Sequence, residues 1–161
     1  MPADAPSTRE SFRRILPITT PAPMARLPGR VWTDAEWERI RRGYRAYDMD
    51  EKWNVFTEDD VVFLHRSWKG FGVFEATFAP VGGGGRRIVS AVVEAGRGGL
   101  HGSSADYDCL MLELVLSGVV LGEPATELRR QLVEVVRQAP GAADASAGAV
   151  RHSMLGLRSG S

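Results

Sequence analysis

Apolar residues recur along this chain with two different periods, and the change from one to the other marks its elements. Trp37, Ile40 and Tyr44 follow at steps of three and four, so they share one helix face, with Glu36, Arg39 and Arg42 away from that stripe. Thr33 and Glu36 form a T-x-x-E capping box, and Trp32 and Trp37 occupy the two positions of a hydrophobic staple. The helix therefore starts at Thr33 and should end near Arg45.

From 52 to 95 the period shortens. Runs rich in β-branched and aromatic residues at 53–57, 61–68, 71–78 and 87–95 read as strands. The links Glu58-Asp59-Asp60 and Lys69-Gly70 have hairpin length, which makes the strands they join antiparallel. The third link, 80–85, contains four consecutive glycines that tolerate almost any path. A helical pattern then returns. Asp106, or one of Ser103 and Ser104, can cap a helix that runs to Leu121 and is closed by Gly122. Its apolar residues extend most of the way round, which predicts deep burial. Pro124 suits the first turn of a last helix carrying Leu128, Leu132, Val135 and Val136 on one stripe, and Pro140-Gly141 stops it. These elements predict an α+β fold: a four-stranded antiparallel meander with one N-terminal helix and two C-terminal helices.

Length and composition set limits on this picture. A chain of 161 residues with 43% apolar content suits one domain, expected over 31–139. Six prolines in 1–30 remove backbone donors and disfavour regular structure, so that segment reads as a disordered Pro-rich arm. The Ala-, Gly- and Ser-rich stretch 140–161 reads as a disordered tail. The 20 basic residues are balanced by 20 acidic ones, which argues against duplex DNA or an acidic membrane as a partner. Cys109, the single cysteine, falls in an apolar helix and reads as a buried structural thiol. The first residues lack the apolar run of a secretory signal, and the stretch 109–121 is too short to cross a bilayer core of about 30 Å. A soluble, cytoplasmic protein is the expectation.

Candidate chemistry is densest at Asp48-Met49-Asp50-Glu51-Lys52-Trp53 and at His65-Arg66-Ser67-Trp68, which antiparallel pairing brings to the same end of a hairpin. His65 alone in this cluster has an ordinary pKa near neutrality, so it is the natural acid or base, with Asp50 or Glu51 to orient it. Lys52 and Arg66, flanked by Ser67 and Trp68, would hold an anionic group such as a phosphate. Period-two geometry sets a constraint: His65 and Arg66 point to opposite faces of a strand, and line one pocket only where a bulge or strong twist re-aims one of them. The competing reading makes His65 a half-buried structural residue and the acidic run a solvated turn. Trp53 and Trp68 could stack on a base, although strand aromatics more often pack cross-strand. The glycine-rich link 96–104 enters a helix whose amides could bind an anion, yet it lacks the G-x-x-x-x-G-K-[ST] pattern of a P-loop and reads as a linker. One cysteine with His65, His101 and His152 scattered gives no zinc pattern, and no Gly-x-Ser-x-Gly elbow occurs, so no metal or cofactor is expected.

The runs Trp32-Thr33-Asp34, Arg41-Arg42-Gly43, Asp48-Met49-Asp50-Glu51-Lys52-Trp53 and Phe63-Leu64-His65-Arg66-Ser67-Trp68 with Gly70, and then Tyr107-Asp108 before an apolar helix, resemble a family of small bacterial domains of unassigned function. Members occur alone or beside ADP-ribose-processing macrodomain proteins. The resemblance spans most of 31–122 and implies a nucleotide or ADP-ribose context without supplying catalytic residues. Two functions follow as expectations. One is a domain that binds or processes a phosphate-bearing nucleotide or ADP-ribose-type molecule. The other is a non-catalytic protein-interaction module, such as an immunity or antitoxin-like protein or a regulatory subunit.

Overall fold

The computed structural model describes residues 6–12, 15–46, 51–67, 69–96 and 104–138. One antiparallel sheet organises them. Its strands are β1 (Pro21–Pro23), β2 (Trp53–Glu58), β3 (Val61–Arg66), β4 (Gly72–Pro80) and β5 (Arg86–Glu94), in the order β1-β5-β4-β3-β2. The four longer strands form the expected meander. Strands β2 and β3 are joined by the two-residue turn Asp59-Asp60, with Asp59 at a left-handed φ of 55°, so Glu58 faces Val61. A bulge in β5 leaves Val89 and Ser90 both outward while Ile88 and Ala91 both point into the core.

The fifth strand corrects the four-stranded expectation. Pro21–Pro23, within the segment expected to be a disordered arm, pairs antiparallel with the outer edge of β5, Ala22 facing Val93. Proline is tolerated here because an edge strand uses only one row of its backbone groups and already favours extended φ. The flanking amides supply the missing donors: Met24 N bonds Ala91 O at 3.0 Å and Ala95 N bonds Thr20 O at 2.8 Å. Glu94, at the end of β5, anchors the same segment by accepting from the amides of Thr19 and Thr20 at 2.9 Å each and from the Thr19 hydroxyl at 2.9 Å. Burial alone would raise this carboxyl's pKa, but those donors and the Gly96 amide hold it below the ordinary range. Further upstream the arm covers one sheet face. Leu16 bridges Phe71, the Phe12 ring lies 5.9 Å from Phe56, and Arg9 sits over Phe56 and Phe63 while bonding both oxygens of Glu58 at 3.0 and 3.1 Å. A short 3-10 turn, Arg9–Ser11, also precedes the expected elements. The tail 140–161 lies outside the described residues.

The other sheet face carries Trp53, Val55, Val62, Leu64, Phe74, Ala76 and Val93, all buried in one core with the helices. Helix α1 (Asp34–Arg42) starts with the expected reciprocal cap: Glu36 N to Thr33 Oγ1 at 3.1 Å and Thr33 N to Glu36 Oε1 at 2.8 Å. It stops at Arg42, short of the expected Arg45, because Tyr44 turns into backbone pairing with Val55. Gly43 makes that turn at φ 80°, where a Cβ would lie 2.2 Å from the Val55 carbonyl oxygen.

Helix α2 (Ala105–Leu114) is capped by Ser104. The apolar run that predicted one helix to Leu121 widens at Val115–Val120 into π-helical geometry, with Leu121 N bonding Leu116 O at 3.0 Å. Two arginines meet this widened turn: Arg30 Nη1 donates to Ser117 Oγ at 3.1 Å, and Arg129 Nη2 lies 3.1 Å from where a Cβ on Gly118 would be. Helix α3 (Thr126–Gln138) begins two residues beyond Pro124, which therefore lies before the helix rather than in its first turn. Among the described residues no helix is long and apolar enough to cross a membrane.

Candidate functional site

The register of β2 against β3 decides how the polar cluster is distributed. Trp53 pairs with Arg66 and Asn54 with His65, so the two adjacent candidates His65 and Arg66 are sent to opposite faces. The bulge that follows Leu64 displaces β4, where His65 faces Gly72, and does not reunite them.

On the helix-covered face, the half-buried Arg66 guanidinium lies with its carbon 4.9 Å from the Trp53 ring centroid. Tyr107, in the first turn of α2, is buried nearby and interacts electrostatically with Arg66. Burial lowers the pKa of Arg66 by opposing its charge, and Tyr107 counters that. Burial pushes the Tyr107 hydroxyl up to about 12, against the pull of Arg66 and with the help of Asp108, so it is a neutral donor at any ordinary pH. Two buried polar atoms here, Trp53 Nε1 and Tyr107 Oη, have no hydrogen-bond partner among the described residues. The indole nitrogen can only donate, and the phenol hydroxyl can donate; Arg66 stacks on the Trp53 ring and acts on Tyr107, as does the Asp108 carboxylate.

On the opposite face His65 is 2% exposed beneath the arm. Its Nδ1 lies 2.9 Å from the Gly70 carbonyl, which assigns that nitrogen the proton, and its ring stacks 5.5 Å from Phe56. Burial lowers its pKa, the Gly70 carbonyl partly restores it, and Arg9 lowers it further, so the ring is held neutral. The contact that orients it is therefore a carbonyl, not the carboxylate of Glu51. Glu51 is 1% exposed and accepts the hydroxyl hydrogen of Tyr44 instead. The expected acid–base pair of His65 with Glu51 is not brought together.

Between these two faces, at the end of the β2–β3 ladder, Ser67 closes the hairpin mouth: its hydroxyl donates to the Glu51 carbonyl at 2.7 Å and its amide to the Lys52 carbonyl at 2.9 Å. Lys52 is half-buried beside Trp53. Asp50 and Trp68, the other two expected site residues, lie outside the described residues, as does most of the glycine-rich link, of which Gly96 donates to Glu94 at 3.1 Å. Among the described residues no group of three or more His, Cys, Asp or Glu side chains could hold a metal ion.

Tyr107 is the residue that chemistry-based reading of the cluster passed over. Its signal was its place three residues after the Ser104 cap, which fixes it in the first turn of α2, over the sheet. Comparison with protein-family models, curated proteins and solved structures returned no match.

Proposed function

We propose that this domain binds the phosphate of a nucleotide- or ADP-ribose-type molecule on the helix side of the β2–β3 hairpin, with Arg66 as the anion-binding charge. The observation that carries this reading is the pair of buried donors without an acceptor, Trp53 Nε1 and Tyr107 Oη, beside a guanidinium withdrawn from water. Buried polar groups are nearly always satisfied, and an orphaned donor needs an acceptor that the protein itself does not provide. An anionic oxygen supplies acceptors for both donors and is attracted by the Arg66 charge. Lys52 and Ser67 at the hairpin mouth stand where the rest of the ligand enters. The resemblance of the Asp48–Trp53 and Phe63–Trp68 runs to domains found beside ADP-ribose-processing proteins supports the choice of ligand class. Binding, rather than catalysis, is the activity this arrangement supports, since His65 lies on the other face, its pKa lowered by burial and its Nδ1 already bonded to the Gly70 carbonyl.

The test is calorimetric titration of the full chain with ADP-ribose, NAD, nucleoside diphosphates and inorganic phosphate, repeated on Arg66→Met. Methionine fills similar space without charge. The variant, checked for folding by circular dichroism, should lose about 2 kcal/mol of affinity, roughly thirtyfold. Equal affinity in Arg66→Met, or no binding by any of these ligands to the parent chain, overturns the proposal.

A further inference from the structure

A second concave site lies on a different face of α2. Residues Asp106, Cys109, Leu110 and Glu113 recur at helical spacing and form one wall of a groove of about 310 Å³, closed by α3 and by the chain at 26–29. That volume is at the lower end of small-ligand sites.

The apolar part of the lining is Leu27, Leu110, Leu128 and Val135, which are partly buried and pack on the core. The charges around them are mostly spoken for. Arg26 is ion-paired to Asp106 at one rim, and Arg130 holds Glu127 through two bonds at 2.6 and 3.0 Å. Glu134 stands exposed at the α3 rim. Glu113 differs from all of these. It is half-buried in the groove wall and has no hydrogen bond or ion pair among the described residues.

We infer that this groove binds an aliphatic ammonium ion, its hydrocarbon chain against Leu110, Leu128 and Val135 and its charged head on the carboxylate of Glu113. A carboxylate partly removed from water with no donor is costly to the free protein. Burial accordingly raises the Glu113 pKa, with Arg30 opposing and Glu123 adding to the effect. A ligand carrying N–H donors and a positive charge offsets that cost, whereas an alcohol supplies no charge and a carboxylate repels. Residues that destabilise a fold locally and persist there are expected at binding sites.

The probe set is n-hexylammonium, 1-hexanol and hexanoate, titrated calorimetrically into the full chain near neutral pH and again into Glu113→Gln. A readout of occupancy comes from Cys109, which lines the groove at 7% exposure and is the only cysteine of the chain, through its rate of alkylation by iodoacetamide. Hexylammonium should bind, slow alkylation of Cys109 and lose at least about tenfold in affinity in Glu113→Gln, while hexanol and hexanoate bind more weakly than it does. The same variant should be at least as stable as the parent, a result that a structural role for Glu113 does not produce. The inference is overturned if hexylammonium fails to bind at millimolar concentration, if hexanol binds as well as hexylammonium, if Glu113→Gln retains full affinity, or if bound hexylammonium leaves Cys109 alkylation unchanged.

Discussion

Tyr107→Phe separates the cost of an orphaned donor from its use. The ring is 7% exposed and its hydroxyl has no partner among the described residues. A buried hydroxyl without a partner costs about 1–3 kcal/mol, and phenylalanine keeps the ring while removing the oxygen. The free variant should therefore be more stable than the parent, by about 1 kcal/mol at the lower end of that range, which raises the thermal midpoint by roughly 2–4 °C for a chain of this size. Binding should move the other way. The hydroxyl, with its pKa pushed to about 12, stays a donor, and a hydrogen bond from it to an anionic oxygen contributes about 1.5–3 kcal/mol, so affinity for the phosphate ligand falls roughly tenfold to a hundredfold. Calorimetry on the free and titrated variant measures both quantities. A loss of stability of about 1 kcal/mol would mean that the hydroxyl already has a partner, such as an ordered water, and the orphan argument fails. A gain of stability with unchanged affinity would keep the orphan and remove the ligand from it.

Two further outcomes follow from the rest of the fold. Burial and Arg9 hold the His65 pKa below its ordinary 6.5, so the unfolded chain takes up a proton before the folded one does; the stability this provides is complete above 6.5 and is lost as pH falls below it. Denaturation midpoints of the parent chain should fall from pH 7 towards pH 5 more steeply than those of His65→Gln, and parallel curves would refute the burial argument. Gly43→Ala forces a Cβ to within 2.2 Å of the Val55 oxygen at a left-handed φ, and should cost about 2 kcal/mol or more in urea unfolding; a neutral result would refute the tight approach of α1 to β2.

How much of this fold was legible in the sequence depended on how local its causes are. The start of α1 was legible because the capping box and staple lie within a few residues of each other. The four meander strands were legible because turn residues separate β-rich runs. Strand β1 was not, since Pro21-Ala22-Pro23 has no alternation and proline argues against a strand; what places it there is a carboxylate far along the chain, Glu94, and a free edge on β5. The widened turn at Val115–Val120 was hidden for a different reason. Its residues are buried on every side, so their pattern carries no phase, and the departure from α geometry coincides with side chains arriving from Arg30 and Arg129.

The site was half legible, and the missing half was register. Alternation alone separates His65 from Arg66, but it does not say which neighbour each one meets. Reading the β2–β3 link as the three residues Glu58-Asp59-Asp60 leaves the pairing open by one position, and a one-residue slip exchanges the faces of a strand. With Asp59-Asp60 as a two-residue turn, Glu58 must face Val61, and counting outward brings Trp53 to Arg66 and Asn54 to His65. The cation then falls beside an indole on the face covered by α2, where Tyr107 adds its hydroxyl, and the imidazole falls beneath the arm between Phe56 and Gly72. One dense run of polar residues therefore serves two environments. Arg66 lies on the helix side beside two buried donors, while the His65 ring nitrogen is already used by the Gly70 carbonyl on the other face.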